Sequence, residues 1–390
     1  MMPVYMDHHA TTPCDPRVVD AMLPYFAEEF GNPASRTHRF GWRAEEGVDR
    51  ARRQVAEAIG ADAREIVFTS GATEANNLAI LGTARANRAR GDHVVTCATE
   101  HRAVLDPCRA LEREGFRVTV LPVRPTGIID LAALEAKLEP STLLISVMLA
   151  NNEIGTLQPL AEIGRIARER HIALHTDAAQ AVGRIPVEVE RLGVDLLSFT
   201  AHKLYGPKGI GALFVRRRRP ALEIAPLIHG GGHERGLRSG TLPAPLCVGF
   251  GEACVIAGRE LEAESARIGE LCDRLWTGLS GGLDGVSQNG APDRRLPGNL
   301  NVSFAGIEAE ALLMGLPELA LSTGSACTSA TPEPSHVLRA LGLGNERARS
   351  AVRFGLGRFN TRDEIDLAAE RVVGEVRRLR ALAAGSSARR

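Results

Sequence analysis

Lysine is scarce in this chain. Only Lys137, Lys203 and Lys208 stand among 47 basic residues, so chemistry that needs an amine side chain has few places to occur. The 47 basic residues are balanced by 47 acidic ones, which leaves no electrostatic footprint for nucleic acid or an anionic membrane. The 7 cysteines, Cys14, Cys97, Cys108, Cys247, Cys254, Cys272 and Cys327, are scattered and contain no C-x-x-C pair. That excludes a disulfide framework or a zinc-finger spacing and suits a reducing, cytoplasmic compartment. No apolar run is long enough to span a bilayer, and the first residues offer neither a basic n-region nor an apolar h-region. The dense run Arg216–Arg219 before Pro220 reads as a solvated turn.

What is there is an apolar fraction ordinary for a globular protein, spread over 390 residues, a length that suggests two domains. From about residue 65 to 215, short apolar strands alternate with amphipathic helices. Strands are expected at 65–69, 93–97, 117–121, 142–148, 173–176, 195–199 and 210–215, which makes an α/β architecture with a mostly parallel, doubly wound sheet. Polar residues recur just past the C-terminal ends of these strands: Thr73, His101, Asn152, Asp177, Gln180, His202 and Lys203. Ligands of open α/β sheets sit at that edge. After a Gly-rich loop, 230–241, a long helix is expected over 246–283. Strands at 297–304, 319–323 and 351–355 follow, with a last helix from Arg362 capped by Thr361.

Lys203 ends the stretch Asp195–Lys203, directly after a buried strand. Lys137 falls on the wet face of a helix and Lys208 sits in a turn between Pro207 and Gly209. Lys203 is therefore the candidate to hold an aldehyde cofactor as a Schiff base, against the plainer reading of a surface lysine. Pyridoxal phosphate also needs a carboxylate for its ring nitrogen and an anion site. Asp177 suits the first, unless it only caps a helix. The strand–Gly–helix turn Ser70–Thr73 suits the second, with Thr200 and His202 as further donors. His101 suits ring stacking or proton movement, or is an ordinary loop histidine. Adjacent His8 and His9, in a polar turn running to Pro13, point to opposite faces of an extended segment and make a poor chelate. Cys327 lies in a Gly/Ser/Thr loop, where an exposed thiol is a few per cent thiolate at neutral pH. That loop is expected to be poorly ordered. Cys97, Cys247 and Cys254 sit among apolar residues as inert thiols. Arg353, on a strand, has the fork geometry to grip a carboxylate.

The motifs Asp7-x-x-Ala-Thr-Thr-Pro13, Asn32-Pro-Ala-Ser35, Phe68-Thr-Ser-Gly-Ala-Thr-Glu74, Thr99-Glu-His101, Asn151-Asn-Glu-Ile-Gly155, Asp177-x-x-Gln180, His202-Lys-x-Tyr-Gly-Pro-Lys-Gly209, Gly230-Gly-Gly-His-Glu234, Arg238-Ser-Gly-Thr241, Ser325-Ala-Cys327 and Arg353-Phe occur in order along nearly the whole chain. Together they resemble the cysteine desulfurases of the NifS/IscS family, in the class-V aminotransferase superfamily.

The resemblance implies the fold type I of pyridoxal-phosphate-dependent transferases. It implies a large domain over 14–258 and a smaller α+β domain from 1–13 and 259–390 that carries the cysteine loop. It implies pyridoxal 5'-phosphate held by Lys203, Ala72, Thr73, His101, Asn152, Asp177, Gln180, Thr200 and His202, with Thr241 from the second subunit of a homodimer. It gives L-cysteine as substrate, with Asn152 and Arg353 on its carboxylate and Lys203 taking its Cα proton. It makes Cys327 the thiol that receives the sulfur and passes it to an acceptor protein, an iron–sulfur scaffold or a sulfur carrier. No resident metal is implied, although Cys327 could transiently ligate a transferred cluster. The chain stops soon after its last helix, without the tail that helps IscS dock its scaffold, which puts docking in that manner in question. His9 and Ala201 stand where relatives often differ, with no mechanism attached. Another lyase or aminotransferase on the same fold, or a non-enzymatic docking subunit, stays open as an alternative.

Overall fold

Seven short apolar segments, each too brief for a helix, condense into one sheet, and all but the partly exposed edge strand at 117–121 are buried along almost their whole length. The computed structural model describes residues 2–218, 221–323 and 334–387. The strands are β1 (Val4–Tyr5), β2 (Ile66–Thr69), β3 (His93–Cys97), β4 (Arg117–Leu121), β5 (Thr142–Ser146), β6 (Ala173–Asp177), β7 (Leu196–Thr200), β8 (Gly211–Val215), β9 (Val286–Gln288), β10 (Asn299–Phe304), β11 (Leu319–Ala320) and β12 (Ala351–Gly355). The main sheet runs β2-β8-β7-β6-β5-β3-β4. Only β8 is antiparallel to its neighbours; the other pairings are parallel. The expected mostly parallel α/β sheet is therefore present, and the C-terminal ends of β2, β3, β5, β6 and β7 share one edge.

A second sheet, β12-β10-β9, is antiparallel. The helix Ala244–Gly282 joins the two regions. At a rise of about 1.5 Å per residue it spans roughly 58 Å. Cys247, Phe250 and Cys254 on its first half pack into the apolar cluster around the main sheet. Ile268, Leu275 and Leu279 on its second half pack into a separate cluster with Leu300, Phe354 and Val372. The last helix, Arg362–Ser387, begins as expected at Thr361, whose Oγ1 accepts the N–H of Glu364 while Glu364 Oε2 accepts that of Thr361, a reciprocal cap.

Several expectations are corrected. β5 stops at Ser146 rather than Met148, and the strand expected at 319–323 is β11 followed by a single bridge between Ser322 and Arg353. β9 was not foreseen. The helix from Ala72 passes through a π turn, Leu78–Gly82, before ending at Ala86. His8 and His9 are buried, not part of a solvated turn. They run between the two sheets, where the N–H of His8 donates to Gly355 O at 3.1 Å and the His8 ring stacks edge-on to Tyr5 at 4.9 Å. Only glycine leaves room at 357, since a Cβ there would lie 2.2 Å from His8 Cδ2. The segment 324–333, and with it the expectations for Cys327 and its loop, lies outside the described residues.

Candidate active site

The shared edge of the parallel strands closes one side of a cavity of about 500 Å³, a size ordinary for a small-molecule site. Lys203, Ala72, Thr73, His101, Asn152, Asp177, Gln180, Thr200, His202 and Arg353 all line it. Of the residues expected on sequence grounds, Thr241 is exposed and does not line its own chain's cavity, and Cys327 lies outside the described residues.

Lys203 follows β7 in a short 3-10 turn, Ala201–Lys203. Its Nζ donates to the carbonyls of His9 and Ala10 at 2.5 and 2.6 Å. The N-terminal segment is held over this turn by Thr12, whose N–H and Oγ1 both donate to His202 O, at 3.0 and 3.1 Å. Asp177 ends β6. Its Oδ2 accepts from Asn76 Nδ2 at 2.7 Å and its Oδ1 from the N–H of Ala179 at 2.9 Å. The Asx turn at Ala179 is the cap reading of Asp177 made real, but it uses one oxygen only. Asp177 is buried and makes no ion pair among the described residues.

β2 delivers Ser70–Thr73 to the cavity, where the first-turn N–H groups of the helix from Ala72 lack intrahelical acceptors. This turn lies flat over β8 because Gly211 has no side chain: a Cβ there would come within 2.7 Å of Gly71 Cα and Phe199 O. Glu74 does not oppose an anion at this turn. Its carboxylate is taken by the N–H of Ser70 at 2.8 Å and by Arg238 Nε at 2.8 Å.

His101 caps the helix Arg102–Arg113. Its Nδ1 accepts the N–H of Ala103 at 3.1 Å, so the neutral ring carries its proton on Nε2. Burial, partly offset by Asp177, holds its pKa below the usual histidine value. His202, with Nδ1 against Thr11 Oγ1 at 3.1 Å, is pushed down to about 4 by burial and by Lys203 and Lys208. Gln180 is pinned by His9: its Nε2 donates to His9 O and its Oε1 meets His9 Nδ1, both at 2.9 Å. Arg353 reaches the cavity from β12. Its Nη1 donates to Asn152 O at 3.0 Å and its Nη2 pairs with Asp7 Oδ1 at 2.7 Å.

Pyridoxal phosphate fits this donor set. A buried carboxylate with neutral donors but no cation suits a protonated ring nitrogen. A helix start with free N–H groups beside Thr73, Thr200 and His202 suits a phosphate. A lysine stands at the same cavity. Sequence reasoning missed His9, Ala10, Thr11, Asn76 and Lys208, which also line the site. The motif Asp7–Pro13 contained three of them but gave no hint that it crosses the chain to wall in Lys203. Asn76 carried a signal: it lies one helical turn after Ala72, on the face that meets the anion turn.

Buried thiols in the described chain are far from reactive. Burial pushes Cys97, Cys108 and Cys247 up to about 12 and Cys272 up to about 11. Among the described residues no helix is long and apolar enough to cross a membrane.

The aminotransferase class-V family model matches residues 4–367. A cysteine desulfurase of Mus musculus is 56% identical over 380 residues, 97% of this chain and 83% of the relative. A cysteine desulfurase IscS of Anaeromyxobacter dehalogenans is 55% identical over 379 residues, 97% of this chain and 94% of the relative. Among solved structures, a NifS-like protein superposes with a TM-score of 0.89 at 37% identity, covering 96% of this chain and 99% of its own. SspA in complex with cysteine gives 0.81 at 39% identity, covering 92% and 100%. By the length of these matches and the identity along them, the chain belongs to the class-V aminotransferase family and, within it, to the cysteine desulfurases.

Proposed function

We propose that this desulfurase converts L-cysteine to L-alanine with pyridoxal 5'-phosphate and places the sulfur on Cys327. The observation that carries the reading is the convergence of Lys203, Asp177, His101, Asn152 and Arg353 on one cavity beside the helix start at Ala72. When bound, the cofactor supplies an electron sink for the substrate's α-carbon. Lys203 Nζ would hold its aldehyde and take the Cα proton. Asp177 would keep the ring nitrogen protonated. Asn152 and Gln180 would offer the cofactor polar contacts from the cavity wall, and His101, with its proton on Nε2, would be available for ring stacking or proton movement. Thr73, Thr200, His202 and the N–H groups at Ala72 and Thr73 hold the phosphate. Arg353 and Asn152 orient the amino acid's carboxylate.

The proposed sulfur step balances within the enzyme. The Cys327 thiolate forms an S–S bond to the substrate sulfur while the Cβ–S bond breaks, and a proton delivered to the substrate carbon completes alanine. The net change is cysteine plus a thiol to alanine plus a persulfide. An acceptor protein, an iron–sulfur scaffold or a carrier for thio-cofactor or tRNA synthesis, then takes the persulfide sulfur. Six described cysteines are unpaired, which supports a reducing, cytoplasmic setting.

A homodimer is part of this reading. Thr241 is exposed and would complete the partner's phosphate site. Phe26, Phe30, Phe40 and Trp42 are all more than half exposed and the Phe30 and Phe40 rings lie 5.2 Å apart; exposed aromatics of this kind support burial against a second copy. The separate apolar clusters around the main sheet and around β10 and β12 support a working division into 14–258 and 1–13 with 259–390, with Ile154 and Leu296 packing across it.

The test is alanine release from L-cysteine with a dithiol present, comparing the native chain with Cys327→Ala. Release by the native chain alone is expected. Equal release by both would remove Cys327 from the sulfur path. Loss of cofactor absorbance in Lys203→Ala is the companion result expected for the lysine.

A further inference from the structure

Arg353 comes to the cavity already paired. Asp7 lies opposite Gly355 in a parallel bridge, fixed by the N–H of Gly355 on Met6 O at 2.7 Å and that of His8 on Gly355 O at 3.1 Å. Residues two apart on a strand share a face, so the register that sets Asp7 beside Gly355 also sets its carboxylate against Arg353, Oδ1 to Nη2 at 2.7 Å. The guanidinium side chain is 3% exposed. Nη2 also donates to Ser322 Oγ at 3.3 Å and Nη1 to Asn152 O at 3.0 Å. Nε has no partner among the described residues.

A carboxylate that arrives at Arg353 therefore meets a cation whose charge Asp7 has largely neutralised. Charges this buried are poorly screened, and two carboxylates near one guanidinium repel each other. We propose that Asp7 is a positioning residue that fixes Arg353 in the cavity wall and, by competing for its charge, keeps the amino acid's carboxylate loosely held so that the product leaves. The inference rests on reading Arg353 as the carboxylate-binding group.

The experiment titrates the cofactor-loaded enzyme with L-alanine and, separately, with ethylamine, the same amine without the carboxylate. Asp7→Asn is expected to bind L-alanine about tenfold more tightly with ethylamine unchanged, and to lower the KM for L-cysteine while product inhibition strengthens. Asp7→Ser, neutral and shorter, is expected to tighten L-alanine in the same way, which guards against a variant that merely misfolds. Arg353→Gln is expected to weaken L-alanine alone. Weaker or unchanged L-alanine binding in both Asp7 variants, with Arg353→Gln still weakening it, would overturn the role of Asp7 and leave that of Arg353. L-alanine binding unchanged in Arg353→Gln would overturn both. A change of equal size for ethylamine would reduce Asp7 to a structural residue and overturn the inference.

Discussion

Asn76 Nδ2 donates to Asp177 Oδ2 at 2.7 Å from a fully buried position. The helix that starts at Ala72 thus also holds the Asp177 carboxylate, so in the proposed reading one rigid unit would set both the phosphate site and the partner of the ring nitrogen. Removing the donor frees Asp177 to rotate and leaves one oxygen unpaired. Asn76→Ala is expected to weaken cofactor binding by about tenfold or more, in line with roughly 1.5–3 kcal/mol for a hydrogen bond to a charged group. Asp177→Asn, which cannot keep the ring nitrogen protonated, is expected to cost more. Titration of the cofactor-free protein by absorbance measures both. Equal affinity of Asn76→Ala and the native chain would separate the helix from the ring site.

His175 gives the fold a pH dependence with a defined sign. It lies inside the sheet, Nδ1 to Ser146 Oγ at 2.8 Å and Nε2 to Ser198 Oγ at 3.0 Å, and burial pushes its pKa down to about 3. The unfolded chain takes up this proton near pH 6.5, whereas the native chain does so only near 3. The native state is therefore favoured fully above pH 6.5 and loses stability as pH falls from there towards 3. At pH 4.5 the loss from this one group is roughly 2–3 kcal/mol. Urea unfolding of His175→Gln is expected to show a lower midpoint at pH 7 but a shallower decline between pH 6.5 and 4.5. Parallel declines would place the acid sensitivity elsewhere.

The main sheet was legible because its strands are apolar runs bounded by turns, and the edge that carries the site followed from their being parallel. Lys203 was legible by scarcity. Asp177 was legible because it ends a strand one crossover before Lys203. What stayed hidden depends on contacts between distant parts of the chain. His8 and His9 look like a solvated pair, yet Gly355 and Gly357 make room for them between the sheets. Arg358 gave no signal at all, although it pairs with Asp15 at 2.7 Å and Glu264 at 2.8 Å over the Tyr205 ring and so ties β12 to the turn after Lys203. β9 was too short and too polar to stand out without its partner β10. No local pattern could report the Asp7–Arg353 pair, which joins residues 346 apart.

Glu100 separates shape from charge. It is fully buried, its Oε1 accepts the N–H of Met148 at 2.6 Å, and Oε2 has no partner among the described residues. Burial raises its pKa well above the usual carboxylate value, which favours the neutral acid. An amide of the same shape keeps the acceptor for Met148 and adds no charge. Glu100→Gln is expected to unfold within about 1 kcal/mol of the native chain, whereas Glu100→Leu strands the Met148 N–H and is expected to lose roughly 1–3 kcal/mol. Denaturant midpoints at pH 7 check both. A large loss in Glu100→Gln would mean that the carboxylate is ionised.

Gly211 is where the sheet and the anion turn meet with no space between them. A methyl group there would have to displace Gly71 or the carbonyl of Phe199, both backbone and both within 2.7 Å. Phe199 is held in β7, paired to β8 along five residues, so Gly71 is the part that must give. The N–H groups of Ala72 and Thr73 would move with it, away from Thr200 and His202. Gly211→Ala is expected to lose roughly 1–3 kcal/mol of stability, as overpacked cores do, and to lose phosphate affinity beyond that. The two effects separate in one comparison: inorganic phosphate raises the melting temperature of the cofactor-free native chain but not that of Gly211→Ala, while a distant overpacking variant such as Gly278→Ala, whose added Cβ would meet Ala369 Cβ at 2.8 Å, keeps the phosphate response. A full phosphate response in Gly211→Ala would show that the turn tolerates displacement and that the anion is held by side chains alone.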